Sequence, residues 1–205
     1  MESVTTDIAD LRKIEKETSL IGGLVSFVLE SIEAIIVALA VCTVLYLFLI
    51  TPHEVVGKSM DPSFKNGEYL IANKLAYRIG EPQRGDVIIF RHSATQDYIK
   101  RIIGLSGDEI SLKDGRFYVN GLLLDETAYL DPAVYTNGGA VLKEGETFVV
   151  PEGEYFVAGD NRPHSSDSRT FGSIEKTDIK GKAWIVYFPF NQFRLIEHQT
   201  YIQDK

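Results

Sequence analysis

Two residues set the chemical question: Ser59, inside "VVGKSMDPSF" (55–64), and Lys100, inside "YIKRIIG" (98–104). A neutral serine is a poor nucleophile and needs a base within hydrogen-bond reach, ordinarily a histidine held by a carboxylate. None of His53, His92, His164 and His198 has a strong catalytic context, although His164 beside Ser165 stays open as a base. A lysine can serve only when neutral, which calls for apolar burial or a neighbouring positive charge. If 98–104 is a strand, Tyr98, Lys100 and Ile102 share one face, so Lys100 lies between an aromatic and a branched aliphatic residue. Arg101 then points to the opposite face, where a buried guanidinium requires a carboxylate.

A third dense stretch, "GDNRPHSSDSR" (159–169), packs three serines, two aspartates and two arginines into eleven residues. It reads either as a solvated loop or as a self-bonded one, with Asp and Arg paired bidentately and hydroxyls held in place. Composition does not choose between them.

The elements that must position these residues come next. From Ala34 to Ile50 the chain reads "AIIVALAVCTVLYLFLI", uncharged throughout, which predicts a transmembrane helix over 34–50. Residues 1–33 form an N-terminal segment that carries Glu30 and Glu33 close to the span. A buried core helix is disfavoured because the run has no polar face. A cleaved leader is disfavoured because the run starts far from Met1 and ends without a small-x-small site. Arg12, Lys13 and Lys16 before the run, against Lys58 and Lys65 after it, favour a cytoplasmic N-terminus and a body on the extracytoplasmic side of the cell membrane.

After Thr51 short β-rich runs alternate with Gly, Pro, Asn and Asp, which predicts a mostly-β body. The expected strands are 87–90, 98–104, 109–113, 116–120, 147–150, 154–158 and 183–188, with hairpin turns at Asp114-Gly115 and Asn120-Gly121. Residues 123–146 have weak periodicity and many turn formers, the place for a small mobile excursion. The 205 residues carry a net charge of -8, which argues against a nucleic-acid partner. The single cysteine, Cys42, excludes an intramolecular disulfide, and the histidines lack metal-ligand spacing, so neither metal nor cofactor is expected.

Taken together, "GKSMDPSF" (57–64), "RGDVIIF" (84–90), "YIKRIIGLSGD" (98–108) and "GDNRPHSSDSRTFG" (159–172), in that order behind an apolar run, resemble the motifs of the bacterial type I signal peptidases, membrane-anchored Ser/Lys proteases. The resemblance implies a folded β-sheet (pseudo-barrel) catalytic body over 51–108 and 155–205, with a small inserted β subdomain at 109–154. It makes Ser59 the nucleophile and Lys100 the general base. Ser165 is then the hydroxyl that orients the lysine, Asp167 and Arg169 a buried supporting ion pair, and Arg101 a structural neighbour. The Ser59 backbone N–H supplies the oxyanion hole, and Gly57 stands where some members carry a second, hydroxyl donor. Met60 and Tyr98 are expected to touch substrate. The implied partners are preprotein signal peptides cut after Ala-x-Ala and the lipid bilayer, with the secretion translocase left open. A self-cleaving Ser/Lys repressor-type peptidase, or an anchored β-rich scaffold without activity, are the other readings.

Overall fold

A computed structural model describes residues 2–201. The chain forms two compact units, an N-terminal helix and a β body that begins at Phe48.

Helix α1 runs over Glu2–Phe48. Its stretch Gly22–Tyr46, 25 residues with a mean hydropathy of 2.3, is long and apolar enough to cross a membrane. Leu24, Phe27, Ile36 and Leu39 are exposed around it, so no protein neighbour covers the apolar surface. The Ser31 and Thr43 hydroxyls donate back to the Phe27 and Leu39 carbonyls, which satisfies them without water. This apolar stretch begins and ends further toward the N-terminus than the expected 34–50. Pro52 cannot continue a helix, and Ile50 and Thr51 instead pair with Asn73 and Ala72 as the start of a strand.

The body holds strands β1 (Ile50–Glu54), β2 (Tyr69–Asn73), β3 (Val87–Arg91), β4 (Asp97–Gly104), β5 (Glu109–Lys113), β6 (Arg116–Val119), β7 (Leu122–Leu123), β8 (Thr147–Val149), β9 (Glu154–Ala158), β10 (Ile174–Glu175), β11 (Ile179–Phe188) and β12 (Arg194–Leu195). Short helices α2 (Ala76–Ile79) and α3 (Ser168–Phe171) accompany them. All strand pairs are antiparallel. The main sheet has the order β1-β2-β11-β3-β4-β9-β10, with β12 added to β11, and a second sheet has the order β7-β6-β5-β8.

The two hairpin turns of the small sheet take the conformation their sequences call for, with φ of 50° and 67° at Asp114 and Gly115 and of 51° and 80° at Asn120 and Gly121. The small sheet has no core of its own. Ile110, Leu112 and Phe117 pack with Ile103, Phe156 and Ala158 of the main sheet in one buried cluster. The irregular stretch after β7, expected to be mobile, is moored: Leu124, Leu130, Thr136 and Leu142 are buried, and Val141 N and Leu142 N both donate to the Arg169 carbonyl.

Candidate active site

Ser59 sits on the turn that leaves β1. Met60 and Phe64, 1% and 2% exposed, anchor this turn in the core. The far side is stapled by Asn161, whose backbone N–H donates to the Ser59 carbonyl (3.0 Å) and whose Nδ2 donates to the Lys58 carbonyl (2.9 Å). Gly57 adopts φ +98°, a conformation that strains any residue with a Cβ, and its N–H donates to Asn66 Oδ1 at 2.7 Å. Its amide is therefore committed to holding the turn. The Ser59 N–H, by contrast, makes no hydrogen bond among the described residues.

Lys100 reaches this turn from β4, with Nζ 2.8 Å from Ser59 Oγ and 3.0 Å from the Ile99 carbonyl. The amine lies over the Tyr98 ring, 4.9 Å from its centroid, and the residue is 3% exposed. Burial pushes its pKa down to about 8; Asp167 and Asp160 pull the other way, and Arg169 adds to the depression. Each of these carboxylates is paired with its own arginine, and burial outweighs their pull.

Those arginines form a layer beneath the dyad. Arg101 meets Asp160 through Nε (2.9 Å) and Nη2 (2.7 Å). Arg169 meets Asp167 through Nε (2.8 Å) and Nη2 (2.7 Å). Arg162 meets Glu126 of the inserted region with both Nη atoms. Burial would raise the Asp167 pKa, but the bonds and charge of Arg169 and the Gly159 N–H hold it below the usual carboxylate range. Asp167 also caps α3 by accepting the Arg169 N–H. The 159–169 stretch is thus the self-bonded of its two readings, and its bidentate pairs fix where the loop runs.

Ser165 lies beside the nucleophile turn, where its buried Oγ makes no close hydrogen bond among the described residues yet lies near enough to Asp167 to help lower that carboxyl's pKa. Lys100 is steadied by the Ile99 carbonyl rather than by the Ser165 hydroxyl. Tyr98 lines the cleft beside Ser59, whereas Met60 faces the core and does not line it. Asp160, Asn161, Arg162 and Glu126 were not singled out in the sequence. The requirement that Arg101 find a carboxylate was the one available signal, and it did not say which. Among the described residues no group of three or more His, Cys, Asp or Glu could hold a metal ion.

Gly159 separates these parts. A Cβ there would lie 2.2 Å from Ser165 Oγ and 2.4 Å from the Ser59 carbonyl oxygen. Gly159→Ala must therefore displace the nucleophile turn, and an error approaching 1 Å at a reacting atom costs about 10²-fold. Single-turnover cleavage should fall by about that factor, in protein whose melting shows it to be folded.

The cleft around Ser59 has a volume of about 320 Å³; Val55, Val56, Leu70, Ile89 and Ile99 form its walls. Two strand edges are open beside it. Among the described residues β1 pairs only with β2, and β9 pairs with β4 only from Arg101 onward, which leaves residues 97–100 without a strand partner on that side. An extended peptide can add its backbone to such edges while shallow apolar walls admit small side chains.

Residues 28–188 match the family described as "Signal peptidase, peptidase S26". The chain is 36% identical over 178 residues to the signal peptidase IB of Staphylococcus aureus (strain COL), a match that covers 82% of this chain and 93% of the relative. It is 44% identical over 165 residues to the signal peptidase I of Bacillus caldolyticus, covering 77% and 90%. A signal peptidase I crystal structure from Enterococcus faecalis V583 is 33% identical and superposes with a TM-score of 0.41, covering 51% of this chain and 97% of the other.

Proposed function

Since the chain belongs to the peptidase S26 family of signal peptidases, we propose that it is a membrane-anchored serine protease that removes signal peptides from exported preproteins by a Ser59/Lys100 dyad. The observation that carries the dyad is the 2.8 Å contact between Lys100 Nζ and Ser59 Oγ in a buried setting. A signal peptide lies extended along the open edges of β1 and β4, with small side chains at the first and third positions before the cut facing the apolar walls. Ser59 Oγ attacks the scissile carbonyl, its proton passes to neutral Lys100 Nζ, and the oxyanion is met by the Ser59 N–H. Lys100 then hands the proton to the departing amine. Water, deprotonated by the same lysine, opens the acyl-enzyme and restores Ser59. Ser165 Oγ, buried beside Asp167 and without a close hydrogen bond in the free protein, turns to Lys100 once substrate fills the cleft.

The body divides into a catalytic part, 51–108 and 155–205, and an insert, 109–154. The span Gly22–Tyr46 sits in the bilayer with the basic Arg12, Lys13 and Lys16 on the cytoplasmic side and the body on the other. Substrates held at the membrane by their own apolar segments thus meet a nucleophile placed shortly after the span in the chain.

The test is cleavage of a preprotein with an Ala-x-Ala junction by the full chain in detergent, with the new N-terminus sequenced. Only neutral Lys100 accepts the proton, so below its pKa of about 8 kcat/KM should rise about tenfold per pH unit and level off above it. Cleavage elsewhere than after the junction would overturn the substrate reading, and a profile flat from pH 6 to pH 9 would overturn Lys100 as the base.

A further inference from the structure

Besides the apolar cleft that holds Ser59, a second groove of about 370 Å³ is lined by Asp61 and Pro62 of the nucleophile turn, the 160–164 loop, and Leu130, Asp131 and Val134 of the insert. His164 borders both hollows, so the two adjoin at that residue. Asp61 follows Ser59 by two residues, so the groove begins on the nucleophile turn itself, where a peptide that continues past the scissile bond can enter it.

The insert is built to hold its wall in place. Arg162, fully buried, donates to Glu126 and Thr136, and Arg169 Nη1 donates to the Asn137 carbonyl at 2.7 Å. Between these moorings Asp131 closes a tight turn, accepting from Ala133 N through Oδ1 (2.8 Å) and from Val134 N through its carbonyl (2.9 Å). Leu130 is buried beneath the turn, while Asp131 is exposed at the groove.

The charges of the groove do not cancel. Asp160 is paired with Arg101 and Arg162 with Glu126. Asp61 and Asp131 have no cationic partner among the described residues, and His164 is the remaining titratable group. The groove therefore presents two uncompensated carboxylates, one of them two positions along the chain from Ser59.

We infer that this groove, walled by the insert, receives the first residues of the mature protein and selects against negative charge there. The inference rests on the signal peptidase reading. It gives the insert a part in the reaction: with Asp61 it sets which sequences may follow the cut, independently of the small residues before it. The selection is electrostatic and partly solvated, so it acts on kcat/KM by a moderate factor and weakens as salt screens it.

The experiment uses the full chain in detergent and three junction substrates that share one Ala-x-Ala signal segment and carry Ser, Lys or Asp at positions two to four after the cut. The unmodified enzyme should cleave the Lys substrate about five- to tenfold more efficiently than the Asp substrate, and 0.5 M salt should compress this ratio. Asp131→Asn should reduce the ratio, and Asp131→Lys combined with Asp61→Asn should bring it to about one or invert it. The ratio is internal to each variant, so a general loss of activity does not disturb it. Equal cleavage of all three substrates by the unmodified enzyme would overturn the groove inference and leave the signal peptidase reading standing, as would a ratio that persists in the double variant. Failure to cleave even the Ser substrate would overturn both.

Discussion

Lys100→Ala is expected to lower kcat for preprotein cleavage by about 10⁴- to 10⁶-fold, the scale on which removing one member of a nucleophile–base unit acts. Lys100 Nζ stands 2.8 Å from Ser59 Oγ, and among the described residues that hydroxyl has no other hydrogen-bond partner. Histidine cannot take its place: of the residues lining the cleft, His53 is drawn toward Asp97 at 3.8 Å, and His164 makes no side-chain hydrogen bond to Ser59. Ser59→Ala should be as severe, and the double variant no worse than either single one, because the two act as one unit. Lys100→Arg should not rescue, since guanidinium stays charged at any working pH and cannot accept the proton. Burst kinetics with a junction substrate measures these losses. Activity within tenfold of the unmodified chain in Lys100→Ala would rule out the dyad.

Asp167→Ala is expected to be the most damaging change away from the reacting atoms. Both Asp167 and Arg169 are buried, and the carboxylate takes the Arg169 Nε and Nη2 together with the Gly159 N–H. Removing it leaves a buried guanidinium uncompensated, which costs about 3–5 kcal/mol, enough to threaten folding of a domain whose whole stability is about 5–15 kcal/mol. The pH dependence has a definite sign. Because the folded-state pKa of Asp167 lies below its model-peptide value of 3.8, the pair's stabilisation is present above that value and is lost as pH falls through the lower, folded one. Thermal melts of the unmodified chain should therefore fall on acidification in that range, and those of Asp167→Asn should fall less steeply. A second readout reaches the dyad. Asp167 raises the Lys100 pKa and Arg169 lowers it, so Asp167→Asn should move the rising limb of kcat/KM below its position near pH 8. A purely scaffolding Asp167 would lower the melting temperature and leave that limb in place.

Much of the architecture was legible along the chain because its signals are local. Residues 87–90, 109–113 and 154–158 alternate or run apolar between turn formers, and strands form there. Asp114-Gly115 specifies its hairpin by the φ values it tolerates. Five strands were not visible: β7, β10 and β12 are two residues each, β1 contains Pro52 and begins at Ile50, which reads as the last residue of the helix, and β2, "YLIAN", is short and has no flanking turn signature. β1 and β2 exist because they pair with each other and β2 pairs with β11, more than a hundred residues away in the chain.

For the site, the chain alone determined the reactive types and one face. Alternation places Lys100 between Tyr98 and Ile102, and a lysine so placed is a base in waiting because desolvation disfavours its charge. Motif order then pointed to Ser59. What tertiary structure decided was every partnership: that Lys100 meets Ser59 across 41 positions, that Arg101 takes Asp160, that Arg162 reaches Glu126 in the insert, that Met60 fills core and Gly57 spends its amide on Asn66. The physical reason is the range of the information. Periodicity and turn chemistry are read within a few residues, whereas a buried charge or hydroxyl is satisfied by whichever group strand register and loop closure bring to it.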